Sequence, residues 1–320
     1  MATLGSAGVQ RASGYTNYAS NNTTNNYIPV LFAKKMLKNF YADSCYPLIA
    51  NTDYEGQIKG MGDSVIIRKA PVLTIGNYTV GGTIDYEVPT STAVELEIDT
   101  AKYWAYKIDD IDELQSDLPL MNEFSMNAAK QLEVTIDTDC LATWAAGAAA
   151  ENKGATAGKI TESINLGTAG ASNGVSITGG ESGNAVDFIM AANQVLDEQN
   201  IPSESRWIIL PSWYITALKT GVLRRADVTG DSTGVVRSGV VGMIDKFMVI
   251  RSNNLPYDSD HKNSTILFGT KEALTFAMQL TKNESLRIQN SFGEYVRGLA
   301  VYGKQVVQPT ALGVAIVHYG

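Results

Sequence analysis

Few residues in this chain combine the types and spacings that chemistry demands. The two histidines, His261 and His318, lie far apart, and no Cys-x-x-Cys or His-Glu-x-x-His spacing offers the donors of a metal site. Gly170-Ala171-Ser172-Asn173-Gly174 spells Gly-x-Ser-x-Gly, the strained elbow that exposes a nucleophilic serine between a strand and a helix. The residues after it, Val175-Ser176-Ile177-Thr178, read as strand, so the spelling is expected to be a coincidence in a Gly/Ser/Ala-rich stretch. Asp109, Asp110, Asp112 and Glu113 could divide acid and base roles if burial drove their pKa values apart. So dense a run between Ile108 and Leu114 reads instead as a solvated turn. Asp137 and Asp139 fall off the apolar stripe of a helix and read as surface charges. No Gly-x-x-x-x-Gly-Lys-Ser/Thr phosphate loop occurs. The expectation is a protein with no catalytic, metal or cofactor site; a serine hydrolase using Ser172 is the rival of a different class.

Composition sharpens this. The 320 residues are 44% hydrophobic and 18% charged, enough to bury a substantial core and too apolar for a disordered chain. With 33 acidic against 25 basic side chains the net charge is -8. Gripping a nucleic-acid backbone takes a basic stripe. The densest basic points, Lys34, Lys35 and Lys38, then Arg224 with Arg225, are small groups. Two cysteines, Cys45 and Cys140, fit a chain made in a reducing cytosol rather than a disulfide scaffold. No apolar run is long enough to cross a bilayer as a helix, and the Ser/Thr/Asn-rich start is not a secretory signal.

The elements that would position such groups read as follows. Residues 1–26 form a polar arm, and Ile28, Leu31, Phe32, Met36 and Phe40 recur at helical spacing behind it. Residues 56–108 are strand-rich: Val94, Leu96 and Ile98 alternate with acidic residues, and Trp104, Tyr106 and Ile108 continue the alternation. Between the strands, Gly76, Gly81, Gly82 and Pro89 punctuate a long β-hairpin whose tip has little core beneath it. A two-stranded ribbon is marginal alone and needs a surface to pack on. Met121, Phe124, Ala128, Leu132, Ile136, Cys140 and Trp144 then draw one apolar stripe along a long helix. Residues 147–184 turn Gly-, Ala-, Ser- and Thr-rich, with room for one hairpin between Asn165 and Thr178. A helix through Val186, Ile189, Met190 and Leu196 stops at Ile201-Pro202, before the strand Trp207–Leu210 and a helix begun at Ser212. Strands over 240–250, 266–268, 299–307 and 311–317 complete an α+β chain.

The segment Leu196-Asp197-Glu198-Gln199-Asn200-Ile201-Pro202, followed by Arg206-Trp207-Ile208-Ile209-Leu210-Pro211, resembles the axial-domain core of HK97-fold major capsid proteins of tailed bacteriophages, particularly the P22-like coat proteins. Gly239-Val240-Val241-Gly242-Met243-Ile244-Asp245-Lys246-Phe247-Met248-Val249, leading into Ser252-Asn253-Asn254-Leu255-Pro256, is similar to a stretch of the same family. So is Arg297-Gly298-Leu299-Ala300-Val301-Tyr302-Gly303. The resemblance runs from about Tyr27 to the C-terminus. It implies an α+β, HK97-like capsid fold: an N-terminal arm (1–27), a segment leading into the peripheral domain (28–55), an extended β-hairpin loop and its base (56–108) and a peripheral domain with a long spine helix (109–146). A Gly-rich loop or small insertion (147–184), an axial domain (185–290) and closing strands (291–320) follow.

The implied function is that of a virion shell protein that self-assembles into pentamers and hexamers of an icosahedral head, enclosing double-stranded DNA without sequence-specific binding. Its partners are copies of itself, a separate scaffolding protein, a portal and a decoration protein; it has no membrane partner, no cofactor and no enzymatic role, and it is made and assembled in the host cytoplasm. Ile75, Tyr78, Val80, Tyr86 and Val88 on the extended loop are the expected inter-subunit contacts. An encapsulin-like nanocompartment shell is the nearest alternative.

Overall fold

A computed structural model of the chain describes residues 44–54, 64–71, 73–83, 86–111, 120–170, 174–180, 182–220, 242–258, 260, 262–287 and 292–320. The expected arm, the amphipathic segment 28–40, Asp112, Glu113, Ser172, Arg224, Arg225 and His261 lie outside the described residues.

The described chain is built on three sheets and one long helix. A short helix α1 (Tyr46–Ile49) leads to the antiparallel pair β1 (Ser64–Arg68) and β2 (Ala93–Glu97). The strand β3 (Thr100–Asp109) follows, and then α2 (Leu120–Ala146), whose 27 residues span about 40 Å at 1.5 Å per residue. Beyond α2 come β4 (Val175–Ile177), α3 (Ala185–Glu198), β5 (Arg206–Leu210) and α4 (Ser212–Thr220). The remaining strands are β6 (Met243–Ile244), β7 (Phe247–Arg251), β8 (Tyr257–Asp258), β9 (Asn263–Thr270), β10 (Leu274–Arg287), β11 (Gly293–Val306) and β12 (Leu312–Tyr319).

The largest sheet has seven strands in the order β4-β12-β9-β5-β7-β6, with β8 paired to β9. Helices cover both faces, so β5 is buried at every position and reads as a continuous apolar run. One face, with Ile208, Leu210, Phe268, Ala315 and Val317, packs on Phe188, Ile189, Leu196, Tyr214 and Leu218 of α3 and α4. The opposite face, with Trp207, Ile209, Leu267, Leu312 and Val314, packs on Ile136, Cys140, Leu141 and Trp144 of α2. The period of two along each strand assigns alternate residues to the two cores.

The stripe expected along α2 is present, but its burial is graded. Ile136, Cys140 and Trp144 are buried, whereas Phe124 stays partly exposed near the other end of the helix. There α2 lies against the second sheet, β10-β11-β3. Tyr106 of β3 donates to the Met121 carbonyl (3.1 Å), shares a hydrogen bond with Ser125 (2.6 Å) and meets the edge of Phe124. Opposite Trp104 the register places Gly298, where an added Cβ would fall 2.4 Å from the indole. The glycine is there to admit the ring.

The strand pairings set the boundaries of the sheets. Strand β3 lies beyond the hairpin, whose paired strands end at Glu97. It leaves β2 at Ile98-Asp99 and pairs with β11 over its full length. One expectation is corrected: among the described residues of 165–178 no hairpin pairing is present, and Val175–Ile177 instead pairs in parallel with Val317–Tyr319. The chain changes sheets at the short 3-10 turn Lys271–Ala273, because β10 pairs with β11 and joins the second sheet.

Candidate functional site

The five expected contact residues lie where the chain leaves its own core. β1 and β2 share only five residue pairs, continued by one bond from the Lys69 N–H to the Thr92 carbonyl (2.8 Å). The ribbon base is seated because Ile67 and Leu96 point inward onto Ala277 and Val307. Beyond it the described residues over 73–92 carry no strand ladder. At the crest the Gly82 N–H bonds to the Thr79 carbonyl (2.9 Å), with Gly81 at φ +84°. That is a type II turn, whose third position takes a positive φ that glycine alone adopts freely. Glu87 accepts from the Thr74 N–H (3.0 Å) and ties the two arms together. Ile75, Tyr78, Val80, Tyr86 and Val88 are 65–94% exposed. Burial of each on another surface is worth about 1.5–3 kcal/mol before ordering costs. Under the ribbon a groove of about 640 Å³ is lined by Tyr54, Ile67, Arg68, Lys69, Glu272 and Thr310.

Two buried polar centres hold the frame behind this loop, and the sequence reading missed both. Asp137, expected at the surface, is fully buried on α2. One carboxylate oxygen accepts from the backbone N–H groups of Cys45 (3.0 Å) and Tyr46 (2.8 Å), and the other from the Asn254 amide (2.7 Å). It thereby fixes three segments at once: the entry to α1, the middle of α2 and the turn after β7. Burial, reinforced by Asp137, pushes the Cys45 thiol up, so it stays protonated and donates to the same carboxylate (3.4 Å). Burial likewise raises Cys140. Asp139 is not a lone surface charge either, since it accepts from the Tyr302 hydroxyl (2.6 Å) and pairs with Lys304. Burial pushes its carboxyl up, but these two donors outweigh that and hold it below the usual range.

Arg206, 1% exposed, is the second centre. It donates to the Pro202 carbonyl (3.0 Å), to the Ile201 carbonyl and to Asn193, and pairs with Asp197 at 2.7 Å. Asn193 in turn donates to Asp245 (3.1 Å). The helix before this lock ends in a Schellman turn: Asn200 adopts φ 57°, its N–H bonding to the Asp197 carbonyl (2.9 Å) and that of Ile201 to the Leu196 carbonyl (3.2 Å).

The chemistry-bearing candidates do not converge. Ser172 lies outside the described residues, and its flanks lack the elbow's order: strand β4, not a helix, follows Gly174. Asp109 pairs with Lys107 (3.2 Å) and Asp110 with Arg287 (3.4 Å), both at the exposed end of the second sheet. His318 sits within β12, near its end. Among the described residues no three His, Cys, Asp or Glu side chains gather as metal ligands, and no helix is long and apolar enough to cross a membrane.

Residues 93–314 match the model of the phage capsid protein family, well over half of the chain. The chain belongs to the phage capsid protein family. Solved structures agree along nearly its whole length. A chain of Mycobacterium phage Che8 is 26% identical, with a TM-score of 0.71 over 92% of this chain and 98% of that one. The capsid of cyanophage P-SCSP1u is 18% identical, with a TM-score of 0.69 over 97% and 100%. The mature capsid of bacteriophage PhiM1 is 13% identical, with a TM-score of 0.67 over 94% and 95%. No curated protein matches the chain. The capsid protein is therefore a structural, major-capsid subunit of the virion shell with the expected α+β, HK97-like fold. The encapsulin-like and hydrolase alternatives are not favoured.

Proposed function

We propose that this subunit closes an icosahedral phage head around double-stranded DNA as pentamers and hexamers, and that its extended loop clasps a neighbouring copy through Ile75, Tyr78, Val80, Tyr86 and Val88. The observation that carries the reading is the exposure of all five on a ribbon whose own ladder ends at Lys69 and Thr92. Repeated contacts between unlike patches close shells, and a projecting loop supplies such a patch. The sheet of β3, β10 and β11, with the near half of α2, serves as the peripheral domain, and the seven-stranded sheet with α3 and α4 as the axial domain. Residues 1–27 serve as an arm, a separate scaffolding protein guides assembly, and portal and decoration proteins complete the head. The subunit is made and assembled in the host cytoplasm and acts without catalysis of its own.

Deletion of residues 70–88 tests this. The subunit should remain folded, because Ile67 and Leu96 still seat the ribbon base, yet it should yield no stable shells by electron microscopy. Normal particles from the deletion would refute the clasp.

A further inference from the structure

The Gly-rich stretch after α2 contains a feature that the clasp does not use. Between Ala157 and Ile164, which exchange backbone bonds of 2.8 and 3.0 Å, the chain turns tightly outward. Glu198, the last residue of α3, holds this turn from beneath. It accepts from the N–H groups of Ile160 (2.8 Å) and Thr161 (3.1 Å), from the Thr161 hydroxyl (3.0 Å) and from Gln194 (2.9 Å). Gly158, at φ +102°, leaves the room, since a Cβ there would lie 2.8 Å from the Glu198 carboxylate. So fixed a turn nonetheless presents Ile160 to solvent, 77% exposed. Among the described residues nothing covers it.

A complementary hollow lies on the other side of the seven-stranded sheet. Val314, Ile316 and Thr265 point to the α2 face, and with Ala145, Ala146 and Gly154 they line an apolar groove of about 480 Å³. The exposed Lys153 stands among its lining residues, and the exposed Glu162 stands beside Ile160 on the turn. Neither makes an ion pair among the described residues. Knob and hollow thus lie on opposite faces of one sheet, with opposite charges at their edges. A projection and a hollow on different patches of one chain generate a head-to-tail contact that can run round a ring. In a shell, the neighbour at such a surface is another copy.

We propose that the turn Gly158–Ser163 of one copy seats Ile160 in the groove between the α2 end and β12 of the next, with Glu162 facing Lys153 across the rim. This rests on the reading of the chain as a shell subunit. It assigns the stretch 147–184 a role as a second inter-subunit element beside the extended loop.

The test uses particles assembled from the full chain. Ile160→Cys combined with Ala146→Cys, treated with a short bismaleimide, should give a ladder of covalent multimers on denaturing gels, and neither single variant should. Ile160→Asp should cut particle yield about tenfold or more while the subunit stays folded by circular dichroism. Lys153→Glu and Glu162→Lys should each lower the yield, and the double variant should restore it. Intact particles without the ladder, an undiminished yield from Ile160→Asp, or a charge-swapped double no better than its singles would each overturn the contact. If the unaltered chain makes no shells under any condition, the shell reading fails and takes this contact with it.

Discussion

Exchanging the two partners of the buried clamp, Asp137 and Asn254, should reveal how much of the subunit's stability they share. In Asp137→Asn, one amide oxygen can keep the bonds from the Cys45 and Tyr46 N–H groups, but as a neutral acceptor in place of a charged one, roughly half as strong. The other atom becomes a donor, aimed at the Asn254 amide nitrogen that lies 2.7 Å from that position. Two buried donors then confront each other, at about 1–3 kcal/mol for the orphaned group, for a total of about 2–4 kcal/mol. Asn254→Asp alone sets two buried carboxylates face to face and should cost about 3–5 kcal/mol. The double exchange restores the pair with its direction reversed, because the amide placed on α2 can donate to the carboxylate placed on the turn after β7. Its cost should fall at least about 2 kcal/mol below the sum of the singles. Urea unfolding of dissociated subunits, followed by tryptophan fluorescence, measures all four corners of this cycle. If the double variant matches the sum of the singles to within about 0.5 kcal/mol, the two side chains do not act as a pair and the account of the clamp is wrong.

Two further outcomes follow from the other polar centres. Arg206→Met leaves Asn193, Asp197 and two backbone carbonyls without their donor, and should cost about 3–5 kcal/mol in thermal unfolding; Arg206→Lys should recover less than half, since an ammonium cannot replace the planar fork. A loss below about 1 kcal/mol for Arg206→Met would contradict the lock. For Glu198, desolvation pushes the carboxyl up, but the donors from Ile160, Gln194 and Thr161 prevail and bring it down to about 2. A carboxyl depressed on folding stabilises above its unfolded value, about 4.3, and that stabilisation is lost as pH falls through the folded value. Discounted for its partial exposure, the contribution is about 1 kcal/mol. The stability gap between the unaltered subunit and Glu198→Gln should therefore shrink between about pH 5 and pH 2, and a gap constant across that range would disprove the assignment.

What the sequence made legible and what it hid divide by the distance over which each feature is decided. The α2 stripe, the buried run Trp207–Leu210 and the stop at Ile201-Pro202 are local: period and turn chemistry determine them within a few residues. The ribbon at 64–97 was also legible, because glycines and a proline interrupt a strand pattern that has nothing to cover. Asp137 was not. Its neighbours in the helix give an acidic residue one step from Ile136, which alone means solvent. Its burial is decided by Cys45, 92 residues away, and by Asn254, 117 residues away. A weak signal existed at the other end, where Cys45 and Tyr46 stand just ahead of Pro47. Their N–H groups open a helix that cannot satisfy them and that has no capping side chain of its own, so an acceptor had to come from elsewhere. The partner of β3 was hidden for the same reason: β11 lies more than half the chain further on.

The segment on which the family resemblance rested now has a physical content. In Leu196-Asp197-Glu198-Gln199-Asn200-Ile201-Pro202, the carbonyls of Ile201 and Pro202 face Arg206, the half-exposed Asp197 pairs with it from the surface, and Asn200 supplies the left-handed residue that aims those carbonyls there. The sequence pattern is thus the record of one buried guanidinium and of the turn that wraps it. Glu198 belongs to the same segment but reaches the other way, to the turn that carries Ile160. One helix end therefore ties the core of the seven-stranded sheet to an exposed apolar projection. A change at Glu198 should act on both stability and assembly, whereas a change at Ile160 should act on assembly alone. That contrast separates a side chain that positions a contact from one that makes it.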